Sequence, residues 1–398
     1  MKKVELLAPA GNLDKLKIAI LYGADAVYIG GKKFSLRARA SNFDLEDIKE
    51  ACEFARIHNA KIYVTMNIIP HNEDFEGLVE YLKYLENVGV SAIITSSMHI
   101  INIALKDAPK LEIHQSTQLS ITNSGASKYY QSIGADRVVL GREVSLEQMA
   151  KIRKATDIGI EVFIHGGMCS SFSGICMLSN HFVNRDANRG GCAHSCRWNY
   201  QLFDGDKLMH SQDKYFNFGS KDLIGLKAVT RLLDMGVDSF KIEGRMKSDY
   251  YIATIVRCYR NLIDNYYNGN AINYDYYIAE MAKAENRNSS TGFLFGDITV
   301  NEQVYHRDEH PTKEFVGVVL DYDATTKIAK VEQRNYFAPN DELEFFGPNL
   351  ANVRAIVTEI KDLEGNVLDA ARHPKQIVFF EVDLNLNAND MIRLVQKG

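Results

Sequence analysis

One phrase recurs four times in this 398-residue chain. It is a glycine, a small apolar residue, Asp or Ser, one free position, then a run rich in apolar side chains. It reads GADAVYIG from Gly23, GVSAIITS from Gly89, GADRVVLG from Gly134 and GVDSFKIEG from Gly236. Each copy follows a stretch with helical apolar spacing, such as FEGLVEYLKYLENV or LIGLKAVTRLLDM. A glycine stops a helix because it takes the left-handed conformation without steric cost. A short apolar run after it suits a strand buried on both faces. The phrase is therefore the αβ half of a βαβ unit.

Four further strands fill the gaps, VELLA, KIYVTMN, LEIHQ and IEVFIH. Together they predict eight strands, near residues 4–8, 26–30, 61–67, 92–96, 111–115, 137–141, 160–165 and 239–243. Eight strands alternating with helices is the count of a (β/α)8 TIM-like barrel, an α/β fold. The competitor is an open doubly wound sheet, but no G-x-G-x-x-G follows the first strand. Most strand-to-strand intervals are about 20–35 residues, whereas that between strands seven and eight is about 75. The excess predicts an insertion over about 166–235, at the C-terminal barrel face where such folds place their sites. From Glu314 the pattern changes to short strands separated by turn residues, as in EFVGVVLDYD, KIAKVEQRNYF and QIVFFEVDL. The expected organisation is a barrel over 1–305 followed by a small all-β barrel over 313–398.

The insertion carries four of the six cysteines, Cys169, Cys176, Cys192 and Cys196, spaced C-x6-C-x15-C-x3-C. A structural zinc site usually shows tight C-x2-C pairs. These spacings are irregular, and the text between is rich in Gly and Ser, which lets a backbone approach a bulky cluster. A [4Fe–4S] cluster is the first expectation and zinc the alternative. Cys52 and Cys258 lie in helical text and are expected to be buried core thiols.

The net charge of −5 gives no overall nucleic-acid signature. Lys and Arg outnumber Asp and Glu by 13 to 9 between His165 and Arg260, but are outnumbered 10 to 14 from Thr312 to Gly398. The insertion is thus the better place for an anionic substrate. No run of about 20 apolar residues occurs, and the start MKKVELLAPAG lacks a secretory pattern. The expected location is cytoplasmic, where clustered cysteines serve as ligands rather than disulfides.

Polar residues stand at strand ends that should be continuously apolar. Strand three ends at Asn67, strand five at His114 and Gln115, strand six at Arg142, strand seven at His165, and strand eight in KIEGRMK with Lys241, Glu243 and Arg245. The loop after strand two adds Arg37 and Arg39. Candidate catalytic residues are His114, Asn67, His165 and Glu243. Candidate substrate-binding residues are Arg37, Arg39, Gln115, Arg142, Lys241 and Arg245. The bland alternative for the strand-eight charges is an internal ion pair at the barrel mouth, and Glu161 is expected to pair with Arg or Lys inside the barrel. Neither a G-x-S-x-G elbow nor H-E-x-x-H is present in a fitting context.

The stretch E-x-F-x-x-G-x-M-C-x4-G-x-C-x-L-S, from Glu161 to Ser179, resembles the signature of the peptidase U32 family. LLAPAGN, RARASNF, LGRE, KIEGRMKS and STGF are similar too, and the β tail resembles the family's small C-terminal barrel. The family was named for collagenase activity, so a peptidase remains one expectation. The resemblance also implies oxygen-independent hydroxylation with an iron–sulfur cluster on four cysteines, here Cys169, Cys176, Cys192 and Cys196. One branch makes 5-hydroxyuridine at the tRNA wobble position with prephenate as oxygen donor. Others act on 23S ribosomal RNA or on ubiquinone precursors. Length and the single β tail place this chain nearest the tRNA branch. The implied partners are tRNA, prephenate or a similar small carboxylate, and an electron donor; Arg37, Arg39, Arg142 and Arg245 are the expected carboxylate clamp. A cluster that only supports structure, in a protein that binds or assembles with a partner, is the third expectation.

Overall fold

A computed structural model describes residues 3–36, 42–209, 211, 215–285, 287–299, 302 and 314–395. Arg37 and Arg39 lie outside the described residues. The eight expected strands are all present: β1 Glu5–Pro9, β2 Ala26–Gly30, β3 Lys61–Met66, β4 Ala92–Thr95, β5 Glu112–Gln115, β6 Arg137–Val139, β7 Gly159–Gly166 and β8 Ser239–Ile242. Each runs parallel to the next, and β8 pairs with both β7 and β1, which closes the barrel. The helices between them include α1 Leu13–Leu21, α2 Leu45–Ile57, α3 Leu78–Val88, α4 Met98–Asp107, α5 Ser124–Ser132 and α6 Leu146–Ala155. Short polar caps start them. Asn12, Ser97 and Asn123 accept from the backbone amide three residues on, while Asp44 and Ser145 form full capping boxes.

The repeated phrase has a structural job at both its first and third positions. Its glycines all sit at positive φ, from 73° at Gly236 to 107° at Gly23, and so end the preceding helix. Its aspartates reach back to the strand before. Asp25 accepts from the Leu6 amide at 2.8 Å, Asp136 from Ile113 at 2.8 Å and Asp238 from Ile160 at 2.9 Å. Each carboxylate thus satisfies a strand's first amides at the N-terminal barrel face.

The barrel interior is not wholly apolar. Leu7, Ala26, Tyr28, Tyr63, Ala92 and Ile94 form one buried cluster. Beside it runs a charged network, and two of its links, Arg137 to Glu5 and Tyr63 to Glu5, join strands that are not neighbours, which only the interior permits. Arg137 on β6 bonds Glu5 on β1 at 2.6 Å and Glu161 on β7 at 3.1 Å. Lys241 on β8 bonds Glu161 at 2.6 Å, and Tyr63 and Ser239 donate to Glu5 at 2.6 and 2.9 Å. Glu161 therefore makes the internal pair that its position suggested.

The excess between β7 and β8 is an insertion holding helix α7 Leu178–Val183, a two-strand hairpin of Phe203–Asp204 with Lys207–Leu208, and a strand Asp222–Ile224 antiparallel to β7. The expected span of 166–235 runs too far. Helix α8, Val229–Met235, is the regular barrel helix, since the Gly236 copy of the repeat follows it. After β8 comes α9, Asp249–Tyr267, capped by Ser248.

The second unit is an eight-stranded antiparallel sheet curled about Val316, Val331, Phe337, Phe345 and Phe380. It is the expected small all-β domain in the form of a half-barrel: among the described residues its outermost strands, Val353–Ile356 and Val367–Leu368, do not pair with each other. It also takes Ala279–Asn286, which the expected boundary gave to the first unit. The reason is electrostatic. Buried Arg393 bonds Glu280 and Glu344, both at 2.9 Å, and Lys283 reaches Glu344 at 3.1 Å.

Candidate functional site

The C-terminal strand ends gather cations at the barrel mouth. The Arg142 guanidinium stacks 3.9 Å from the centre of the Phe163 ring. Lys241 lies 4.6 Å from the Tyr28 ring and 5.4 Å from Phe163, so both cations approach the Phe163 ring. Burial opposes a charge on Glu161, but Lys241 and Arg137 overcome it and hold the carboxyl at about 2. Arg245, just past β8, is 4% exposed. Its guanidinium bonds Ser35 at 2.9 Å, Thr65 at 3.2 Å and Asn42 at 2.9 Å. Gly30 makes room for it: a Cβ there would lie 2.1 Å from Arg245 Nη2.

His114 on β5 is fully buried, stacked edge-on against Tyr63 at 4.7 Å, with Nε2 3.1 Å from Glu112. Burial pushes its pKa down, and the hydrogen bond from His114 holds the Glu112 carboxyl at about 2. The neutral ring then donates through Nε2 and leaves Nδ1 as an acceptor, a buried atom with no hydrogen-bond partner. His165 has a different setting. It is 2% exposed, its Nδ1 is 3.3 Å from the Tyr259 hydroxyl, and the rings of Tyr251 and Tyr259 on α9 flank it. Burial, with Lys247 adding, pushes it down to about 3. The structure gives His165 a packing role against α9, which corrects its candidacy as a catalytic group. Gln115 donates to the Thr95 carbonyl at 2.8 Å on the neighbouring strand, so strand alternation sets it on the opposite face from His114. That removes it from the mouth. Asn67 accepts from the Leu36 amide at 3.2 Å and so anchors the loop after β2. The Glu243 carboxylate stays at the mouth, where a Cβ on Gly167 would meet it at 3.4 Å.

The cysteine insertion is latched across this mouth. Arg189 forks onto Asp74 with both terminal nitrogens and donates to the Ile69 carbonyl at 2.9 Å, which ties it to the loop after β3. Ser120, after β5, donates to the Phe172 and Ser173 carbonyls at 2.7 Å, and Ser173 accepts from the Arg142 amide at 3.0 Å. Arg197 bonds Asp222 at 3.3 Å and the Met168 carbonyl at 3.2 Å, joining the flanks of Cys169 and Cys196. These latches were invisible to sequence reading, because each joins residues 25 to 120 positions apart.

All four insertion cysteines are free thiols, exposed or half-buried. Burial pushes up the Cys176 and Cys196 thiols, and charge on Cys169 and Cys192 adds to both shifts. Cys176 and Cys196 thus each lie within electrostatic reach of Cys169 and Cys192. Asn188 clamps Cys176 by accepting from its amide at 3.0 Å and donating to its carbonyl at 3.1 Å. Ser171 Oγ stands 3.0 Å from Cys169 Sγ. Among the described residues no three His, Cys, Asp or Glu side chains are gathered as for a single metal ion. Four free thiolate-type donors with a hydroxyl and backbone amides beside them fit the chemistry of an iron–sulfur ligand set. Cys52 and Cys258 are buried, as expected of core thiols.

Comparison with known proteins agrees over most of the chain. Residues 11–303 match the Peptidase family U32 model, and residues 311–393 match the Peptidase family U32 C-terminal domain. A protein of Bacillus subtilis (strain 168) named tRNA hydroxylation protein P1 is 46% identical over 98% of this chain and 95% of its own length. The 23S rRNA 5-hydroxycytidine C2501 synthase of Escherichia coli (strain K12) is 41% identical over 66% of this chain and 39% of its own. A Porphyromonas gingivalis (strain ATCC BAA-308 / W83) protein named Collagenase is 32% identical over 90% of each. With both parts of the chain matched and a relative aligned end to end, the chain belongs to peptidase family U32.

Proposed function

We propose that this chain hydroxylates RNA, and that its substrate is the tRNA wobble uridine, modified at C5 with prephenate as oxygen donor. The observation that carries the reading is the set of four free cysteines latched over a barrel mouth rimmed by Arg142, Lys241 and Arg245. The two relatives named for tRNA and rRNA hydroxylation support it.

Cys169, Cys176, Cys192 and Cys196 would hold a [4Fe–4S] cluster, which when bound supplies one-electron chemistry and calls for an outside electron donor. The protein's own part is binding and orientation. Arg142, fixed over Phe163, and Arg245, fixed by Ser35, Thr65 and Asn42, offer guanidinium forks for the two carboxylates of the donor. Lys241 is committed to Glu161, so it contributes positive charge rather than proton exchange. His114 keeps Nδ1 as a hydrogen-bond acceptor inside the barrel. The insertion is tied to the loops after β3 and β5 at this end of the barrel.

The test has two arms. Protein isolated without oxygen should carry about four irons per chain, and a single zinc in their place would sink the cluster reading. Cells whose only copy is Cys169→Ala should lose 5-hydroxyuridine from tRNA, measured by nucleoside mass spectrometry. Unchanged modification would refute the tRNA role, and collagen cleavage by that variant would favour the peptidase reading.

A further inference from the structure

The insertion exposes an unusual amount of apolar surface. Phe172, Ile175, Met177, Phe182, Trp198, Leu202, Phe203, Met209, Tyr215 and Phe218 are all exposed. Within it five rings stand in a row. Trp198 is 6.4 Å from Phe182, Phe182 is 5.5 Å from Tyr200, Tyr200 is 5.5 Å from Phe218, and Phe218 is 5.0 Å from Phe216. Phe182, Trp198 and Phe218 remain 44%, 39% and 44% exposed. The row adjoins the candidate cluster site. Phe218 donates its amide to the Cys196 carbonyl at 2.8 Å, and the Tyr200 hydroxyl donates to the Ser195 carbonyl at 2.7 Å.

We propose that this row is a stacking platform for unpaired bases of an RNA loop flanking the nucleotide that enters the barrel mouth. The inference rests on the RNA reading above and adds the surface that reads the substrate. A base attacked inside a barrel must leave its stack, and its neighbours then need planar faces to replace the contacts they lose. Aromatic rings supply these without regard to sequence. Charge agrees: the stretch from His165 to Arg260 is the part where Lys and Arg outnumber Asp and Glu, in a chain of net −5. Arg185, three residues from Phe182 in the chain, donates to the Cys192 carbonyl at 3.3 Å and has Nε without a hydrogen-bond partner.

Trp198 is the only tryptophan in the chain, so its fluorescence reports on this row alone. Iron-loaded protein is titrated with a stem-loop RNA having an unpaired loop, and separately with a blunt duplex of equal length. The loop RNA should quench Trp198 with a saturating curve and the duplex should not. Phe182→Ala should weaken loop binding roughly tenfold by fluorescence anisotropy of labelled RNA, while Phe182→Tyr should restore it. Loop binding without a change in Trp198 emission, or unchanged affinity in Phe182→Ala, would overturn the platform. So would a protein electron donor that quenches Trp198 and is displaced from it by no RNA. If wild-type protein neither binds nor modifies RNA, the RNA reading itself fails. Intact modification by both alanine variants, Phe182→Ala and Trp198→Ala, would refute the platform alone.

Discussion

Glu161→Gln tests the charged interior directly. Glu161 is fully buried and answers two cations, Lys241 at 2.6 Å and Arg137 at 3.1 Å. Gln keeps the shape but leaves Lys241 without its counterion, while Arg137 retains Glu5. Breaking a buried pair from one side costs about 3–5 kcal/mol. The titration gives a second route to the size. The carboxyl is held at about 2 against an ordinary 4.5, a depression of 4.5 − 2 = 2.5. At 1.36 kcal/mol per unit this is about 3 kcal/mol. The folded value is the lower one, so the stabilisation is fully present above pH 4.5 and is lost as pH falls towards 2. Thermal unfolding followed by far-UV circular dichroism should show Tm at neutral pH lowered by about 6–15 °C. Wild type should lose stability between pH 4.5 and 2 more steeply than the variant. The double variant Glu161→Leu, Lys241→Met should recover most of the loss, because no unpaired charge remains. A variant within about 2 °C of wild type, or two parallel pH curves, would refute a dry, strongly coupled interior.

Other outcomes follow from single contacts. Arg393→Leu leaves buried Glu280 and Glu344 to share Lys283 in the second unit, and should destabilise that unit by about 3 kcal/mol, read by urea unfolding of the whole chain. Gly30→Ala drives a methyl into Arg245 without removing the charge, so it should raise KM for the carboxylate donor more than tenfold while leaving the fold intact by circular dichroism. Arg189→Ala removes the side-chain latch to Asp74 and to the Ile69 carbonyl, and limited proteolysis should then cut within 170–218 faster than in wild type. Because His165 is pushed down to about 3, His165→Gln should leave any inflection of activity near neutral pH where wild type has it.

The strands were legible because they are buried on both faces and so read as apolar runs closed off by glycine. At the candidate site, residue type and spacing singled out the four cysteines. At strand ends, sequence could name polar residues but not their direction. Gln115 and His114 are adjacent, yet alternation sends one to each face. His165 carries the same side chain as His114 and packs on α9 instead. Glu5 and Arg137 sat unmarked in ordinary strand text, although they hold the barrel's centre from 132 residues apart. Ala279–Asn286 falls within the expected barrel span of 1–305, yet ion pairs from Glu280 to Arg393 and from Lys283 to Glu344 tie it to the other unit.

The aspartates of the repeat bear on how the ring is assembled. Asp25 fastens β1 and Asp136 fastens β5, each across a single helix–strand step, whereas Asp238 fastens β7 across the whole insertion. A chain emerging from the ribosome can therefore lock the first two steps as they arrive, without waiting for distant segments. The last fastening is different, since Asp238 also accepts the Glu5 amide through its carbonyl at 3.0 Å and so joins the final step to the first. Closure must wait until the cysteine insertion has been made. Substitutions at these aspartates should thus alter yield and folding speed while sparing the chemistry at the opposite rim. The molecule separates its assembly code from its reactive parts by the full height of the barrel.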